Sequence, residues 1–192
     1  LEDRDDARVG FIHATVQGIA KELRTKGSDL LVRRGRPLDV WKELLKTHDV
    51  KEVVFNHDYE PYARARDTAV FDHLSKNGIT VKSCKDQVIF EKREVAKDDG
   101  EPYTVFTPYF RKWLATLTSD DLKSAKVEDG FLSWKAPAIP TLAELGFAAN
   151  KIEIPPAEVA AKLLKSYEAS RNIPSIAGTS RLGVHLRFGT VS

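Results

Sequence analysis

Apolar residues at Val9, Ile12, Val16, Ile19, Ala20 and Leu23 recur at three- and four-residue spacing, which places them on one side of a helix of about five turns ending near Gly27. The pattern then shortens. Leu30-Leu31-Val32 predicts a buried strand, Gly35 a turn, and Pro37 opens a helix with Leu38, Trp41, Leu44 and Leu45 along one side. Val53-Val54-Phe55 predicts the next strand. Pro61 starts another helix, Asn77-Gly78 ends it, and Ile79-Thr80-Val81 predicts a third strand. From Gln87 to Val105 no period is sustained, and Lys97-Asp98-Asp99-Gly100 reads as a turn or loop. Thr107-Pro108 is expected to cap a helix that carries Phe110, Trp113, Leu114 and Leu117 on one side. From Thr118 onward Pro137, Pro140, Pro155 and Pro156 break any pattern, and a helix resumes after Pro156 through Val159, Leu163 and Leu164.

Strands joined by single helices run parallel, because only a crossover returns the chain to the same edge of a sheet. The expected fold class is therefore α/β, a doubly wound parallel sheet of Rossmann-like, three-layer type over residues 1–117. A long interdomain connection is expected over 118–155, and the start of an all-helical domain over 156–192. A three-stranded parallel sheet entered by a helix leaves an unpaired apolar edge. The sequence also holds no methionine, at position 1 or elsewhere. The expectation is that one or two strands precede Leu1 and that the helical domain continues past Ser192.

With 192 residues, 42% hydrophobic and 30% charged, the chain can bury one core and begin a second. Its net charge of +2 does not by itself point to a polyanion partner. The distribution says more: from Pro156 onward Lys162, Lys165, Arg171, Arg181 and Arg187 face only Glu158 and Glu168. The single cysteine, Cys84, excludes an internal disulfide, and the histidines show no ligand spacing with it, so neither a disulfide scaffold nor a zinc module is expected. No apolar run reaches the ~18 residues of a membrane helix and the charged opening is no signal peptide, so a soluble protein in a reducing, cytoplasmic setting is expected.

Three segments could carry chemistry. Asn56-His57-Asp58-Tyr59-Glu60-Pro61-Tyr62, with Arg64, Arg66 and Asp67, follows the carboxyl end of a strand, where open parallel sheets place ligand crevices. Its residue chemistry alone reads first as Asp58 capping the helix from Pro61, with Arg64, Arg66 and Asp67 in local ion pairs. Gly100 to Tyr109 sets Tyr103, Phe106 and Tyr109 beside Glu101, which suits a planar heterocycle or a plug of core aromatics. Tyr167-Glu168-Ala169-Ser170-Arg171 and then Gly178-Thr179-Ser180-Arg181-Leu182-Gly183 offer amide, hydroxyl and guanidinium donors at a helix opening, fit for a phosphate or for an ordinary helix cap. No G-x-G-x-x-G, no G-K-[ST], no catalytic triad and no metal-ligand spacing are present, so no catalytic residue and no metal ligand is assigned.

Taken in order, these segments resemble the photolyase/cryptochrome family, and specifically its cyclobutane-dimer repair enzymes. The resemblance runs over nearly the whole chain, through Arg34-Gly35-Arg36-Pro37, Asn56 to Asp67, Tyr103 to Tyr109 with Trp113-Leu114, and Tyr167 to Gly189. It implies an α/β antenna domain, a long linker and a helical domain that holds FAD. By resemblance Tyr167, Thr179, Ser180, Arg181 and Leu182 match FAD contacts, mainly at its phosphates. Gly183 stands where many members have serine and retains only a backbone donor. Arg171 matches a contact to a DNA phosphate, and Glu101 the glutamate that holds a methenyltetrahydrofolate antenna in folate-using members; others use a deazaflavin or a second flavin. The implied activity is light-driven repair of pyrimidine dimers in damaged DNA by electron transfer from reduced FAD, in a monomeric parent whose dimer-binding residues lie past Ser192. A cryptochrome-type photoreceptor without repair, or a stand-alone nucleotide-binding α/β module, are the alternatives.

Overall fold

A computed structural model describes residues 3–123, 130–149 and 153–191. The elements run α1 (Ala7–Thr25), α2 (Pro37–Thr47), β1 (Glu52–Asn56), α3 (Pro61–Lys76), β2 (Thr80–Cys84), α4 (Phe106–Thr116), a short 3-10 turn at Asp120–Leu122, α5 (Ala161–Ser170) and α6 (Gly183–Phe188). By contacts the chain divides into two units, Arg33–Asp129, and Leu1–Val32 together with Gly130–Ser192. Parts of the expected connection, residues 124–129 and 150–152, lie outside the described residues, as do Leu1, Glu2 and Ser192. Among the described residues no helix is long and apolar enough to cross a membrane.

The Arg33–Asp129 unit is the α/β part. β1 and β2 pair in parallel with Val53 opposite Val81 and Phe55 opposite Ser83. Both α2 and α3 begin on proline, whose fixed φ suits the first helical position and whose missing N–H is not needed there. α3 stops where Gly78 takes φ 75°, a left-handed conformation that allows its N–H to reach the Ser75 carbonyl at 3.0 Å while Ile79 N–H reaches that of Leu74 at 3.1 Å. Val53, Val70, Leu74 and Ile79 form the buried core, with Trp41 and Leu45 of α2 and Phe55 and Val81 of the strands packed around it. The α/β class and the parallel pairing stand as expected.

Three expectations are corrected. Leu30-Leu31-Val32 is not a strand, and the sheet among the described residues has two strands. The run is apolar and half-buried, yet the neighbouring backbone is tied instead by the Asp29 carboxylate, which accepts from Leu30 N–H at 2.8 Å and Ala136 N–H at 3.2 Å. An apolar trio becomes a strand only when a second strand lies within hydrogen-bonding reach. Next, α4 starts at Phe106 with Val105 in the cap position, so Thr107 caps nothing. Pro108 is tolerated in that first turn because the first four N–H groups of a helix have no internal partner. Finally, Glu60 and not Asp58 precedes α3 as its cap residue; Asp58 accepts from Glu60 N–H at 3.3 Å, closing a small turn before the helix.

In the other unit, Asp6 caps α1 by accepting from Arg8 N–H at 2.8 Å. Phe11 is buried, edge-on to His185 with ring centres 5.6 Å apart and 5.3 Å from Phe188. His185, on α6, is itself buried: Nε2 lies 2.7 Å from the Pro155 carbonyl and Nδ1 2.7 Å from Thr190 Oγ1. A carbonyl only accepts, so Nε2 is the protonated donor of that bond. One imidazole thus fixes α6 to the segment leading into α5.

Candidate functional site

The segment from Ser170 to Gly183 is built on close packing. Gly178 is buried, and a Cβ placed on it would stand 2.7 Å from the Ser170 Cβ, carbonyl oxygen and hydroxyl, so only glycine fits. Ser170 Oγ is held by donating to the Ser166 carbonyl at 2.8 Å. The chain turns through Ile176 N–H to Ile173 O at 3.1 Å and Gly178 N–H to Ile176 O at 2.7 Å. Arg181 then adopts φ 55°, a left-handed conformation costing a non-glycine residue on the order of 1–2 kcal/mol. Leu182 takes the cap position and Gly183 is the first residue of α6. Thr179 and Arg181 are exposed and Ser180 is half-buried. Among the described residues no hydrogen bond or ion pair engages the Thr179 or Ser180 hydroxyl or the Arg181 guanidinium. Tyr167 and Arg171 sit one turn apart at the end of α5, the guanidinium 5.7 Å from the ring centre.

The α/β unit carries a different feature. At the carboxyl ends of β1 and β2 lies a cleft of about 540 Å³ lined by Phe55, Tyr59 and Phe71, by Asp58, Asp67 and Thr68, and by His57, Arg64, Ser83 and Lys92. Open parallel sheets expose their strand-following loops there, and the segment Asn56–Asp67 falls where the sequence reading put a crevice. Arg66 pairs with Asp67 at 2.7 Å, while Arg64 makes no ion pair among the described residues. Asn56 donates to Asp86 at 2.8 Å.

Behind the cleft wall stands Glu91, which sequence reasoning missed. Its Oε2 accepts from His57 Nδ1 at 2.8 Å and from the Tyr59 hydroxyl at 2.8 Å. The hydrogen bonds from His57 and then Tyr59 hold the Glu91 carboxyl below the usual carboxylate range. Burial, and next the bond to Glu91, push the Tyr59 phenol up. On the other edge of the imidazole, Nε2 lies 3.0 Å from Ser83 Oγ. The loop bearing Glu91 is braced by Glu94, which accepts from Glu91 N–H at 2.6 Å and pairs with Lys85 at 2.8 Å. Lys92 then takes φ 51°, which turns it to the cleft rim.

Glu101 lies in this unit but not on the cleft. Its carboxylate is exposed, and its backbone closes a turn, donating to Asp99 at 2.9 Å and accepting from Lys97 N–H at 2.9 Å. The neighbouring rings do not plug a core: Phe106 is 73% exposed and stacks on Phe110 at 5.6 Å, while Tyr103 meets Tyr109 edge-on at 6.3 Å.

Residues 2–128 match the family model described as DNA photolyase. The chain belongs to the DNA photolyase family. It is 33% identical to the deoxyribodipyrimidine photo-lyase of Halobacterium salinarum, over 96% of this chain and 41% of that protein. The fold resembles that of a bacterial class III photolyase from Agrobacterium tumefaciens, with TM-score 0.79 and 22% identity over all of this chain and 43% of the other. It also resembles that of an archaeal photolyase from Sulfolobus tokodaii solved with two FAD molecules, with TM-score 0.63 and 20% identity over 98% of this chain and 42% of the other. Similarity to Cryptochrome-2 of Arabidopsis thaliana, 31% identical, extends over half of this chain and 16% of that protein. The chain spans about two fifths of the length of the curated photolyases it matches.

Proposed function

We propose that the chain is the amino-terminal part of a deoxyribodipyrimidine photolyase, which uses light to split cyclobutane pyrimidine dimers in damaged DNA, and that Gly178–Gly183 receives the diphosphate of FAD. The observation that carries this reading is a rigid loop with its donors unspent. Gly178 packs against Ser170 and Arg181 is held left-handed, yet the Thr179 and Ser180 hydroxyls and the Arg181 guanidinium have no protein partner among the described residues. Such a set matches a polyanionic oxygen cluster in donor count and charge. Leu182 and Gly183 add backbone at the start of α6, and Tyr167 an aromatic surface on α5. Reduced FAD, when bound, supplies the electron that a flipped-out dimer accepts and returns after its bonds break. Arg171, at the end of α5, is the residue assigned to a DNA phosphate.

On this reading residues 1–117 form the antenna domain, 118–155 the connection and 156–192 the opening of the FAD domain of a monomeric, cytoplasmic enzyme. The geometry favours the cleft at the strand ends as the antenna site. Phe55, Tyr59 and Phe71 suit a planar ring, and Arg64 and Lys92 a negative substituent, as in a deazaflavin or second flavin. A methenyltetrahydrofolate would instead use the exposed Glu101 carboxylate.

The test uses the full-length protein. Replacing Thr179, Ser180 and Arg181 together by alanine is expected to cut FAD retained through purification by roughly tenfold or more, because charge-assisted bonds are lost. Undiminished flavin would end the phosphate assignment. The wild type is expected to restore dimer-containing DNA under blue light; flavin binding without repair would make it the signalling type. Binding of a nucleotide by the 192-residue chain alone, with no flavin in the full-length protein, would make it a stand-alone module. Extracting the bound pigments identifies the antenna.

A further inference from the structure

The polar end of the cleft has a defined hydrogen-bond direction. An ionised Glu91 carboxylate can only accept, so the 2.8 Å contact to His57 Nδ1 places a hydrogen on Nδ1. In the neutral ring Nε2 is then an acceptor, and the Ser83 hydroxyl 3.0 Å away donates to it. His57 and Ser83 both line the cleft, whereas Glu91 does not and its side chain is only 15% exposed. Tyr59 donates to the same Glu91 oxygen, which prevents the carboxylate from turning away from the imidazole. The ring is thereby held from behind, with an acceptor and a rotatable hydroxyl side by side at the cavity surface. A ligand that offers N–H to Nε2 frees the Ser83 proton to swing toward an adjacent carbonyl.

We propose that His57 Nε2 and Ser83 Oγ read the N–H and neighbouring C=O of a planar heterocyclic lactam or imide in this cleft, and that Glu91 is the positioning residue that presents them. This rests on the reading of the cleft as the site of a planar heterocycle. Phe55, Tyr59 and Phe71 supply the apolar contact for the ring body and the His57–Ser83 pair fixes its orientation. A site built around such a bond rejects an analogue lacking the donor far more strongly than apolar contact alone can.

The probes are lumiflavin, whose imide edge carries N–H between two carbonyls, and 3-methyllumiflavin, which has no such hydrogen. The 192-residue chain is expected to bind lumiflavin at least about tenfold more tightly than its methyl analogue. In His57→Leu the two should bind alike; a clash with the added methyl would persist against leucine, so loss of discrimination identifies the hydrogen bond. Long-range proton–nitrogen spectra of the wild-type ring should show hydrogen on Nδ1, moving toward Nε2 in Glu91→Leu together with a roughly tenfold loss of discrimination, as for outer partners of other functional histidines. Glu91→Gln, whose amide oxygen still accepts from Nδ1, should recover most of it. Equal binding of both probes by the wild type overturns the proposal and leaves the cleft reading intact. Binding of neither removes the cleft reading as well. A wild-type ring with hydrogen on Nε2 overturns the role of Glu91 whether or not any variant folds.

Discussion

Gly178 lies so close to Ser170 that a methyl group on it would stand 2.7 Å from the Ser170 carbonyl oxygen. The loop cannot retreat freely, because Gly178 N–H is committed to the Ile176 carbonyl at 2.7 Å. Gly178→Ala is therefore expected to destabilise the unit formed by the chain's two ends by about 1–3 kcal/mol, the usual result of overpacking. Thermal unfolding followed by circular dichroism checks this; an unchanged melting temperature would show that the loop is not held by that contact. In the full-length protein the same substitution should also reduce FAD content, since it displaces Thr179 and Ser180.

Asp29 gathers bonds from three directions: the Arg24 guanidinium at 3.0 and 3.1 Å, Leu30 N–H at 2.8 Å and Ala136 N–H at 3.2 Å. Its side chain is 3% exposed. The bond from Arg24, then that from Leu30 N–H, holds its carboxyl below the ordinary value. A folded-state value lower than the unfolded one gives stability that is present above about pH 4 and is lost as pH falls through the folded value. Asp29→Asn should therefore melt below the wild type at pH 7, with the gap narrowing as pH falls below the ordinary carboxylate range of about 4. Melting curves across that range decide it; a gap constant with pH would assign the effect to shape and not to charge.

The helices were legible because their starts are written locally. Pro37 and Pro61 mark the first residues of α2 and α3, and Asn77-Gly78 the end of α3. The strand at Val53–Phe55 followed from its position between two such helices. Leu30–Val32 failed because apolar content fixes burial but not pairing, and the nearby carboxylate of Asp29 took the N–H of Leu30 together with that of Ala136. Thr107 failed because a threonine before a proline is a frequent cap, whereas the cap of α4 is Val105, two residues earlier. The candidate phosphate loop was visible as a contiguous run, Gly178 to Gly183. The imidazole network was not, because Ser83 and Glu91 stand 26 and 34 residues from His57, and Asp58 beside it suggested a surface pair.

Leu74 is fully buried at the centre of the α/β core, among Val53, Val70 and Ile79. It also supplies the carbonyl that accepts from Ile79 N–H at 3.1 Å, which joins the end of α3 to the turn into β2. Leu74→Ala removes the fully buried side chain around which Trp41, Leu45, Phe55 and Val81 pack, and the cavity it leaves should cost about 2–5 kcal/mol. Denaturant titration should show an earlier loss of this unit than in the wild type, and a midpoint shifted by less than the wild-type uncertainty would contradict the packing described.

Arg171 closes α5 with its guanidinium over the Tyr167 ring, and it makes no ion pair among the described residues. A cation stacked on an aromatic face keeps its donors pointed outward at little entropic cost, which is the condition for a phosphate contact made in a fixed register. In the full-length protein Arg171→Ala should weaken binding to dimer-containing and undamaged duplexes by similar factors, because phosphates carry no sequence or lesion information. The slope of log affinity against log salt should fall by about one phosphate's worth. Arg171→Lys should restore the slope but not the full affinity, since an ammonium keeps the charge and loses the planar, forked donor set of the guanidinium. A slope that does not change in Arg171→Ala would show that this guanidinium remains on the tyrosine and never meets the nucleic acid.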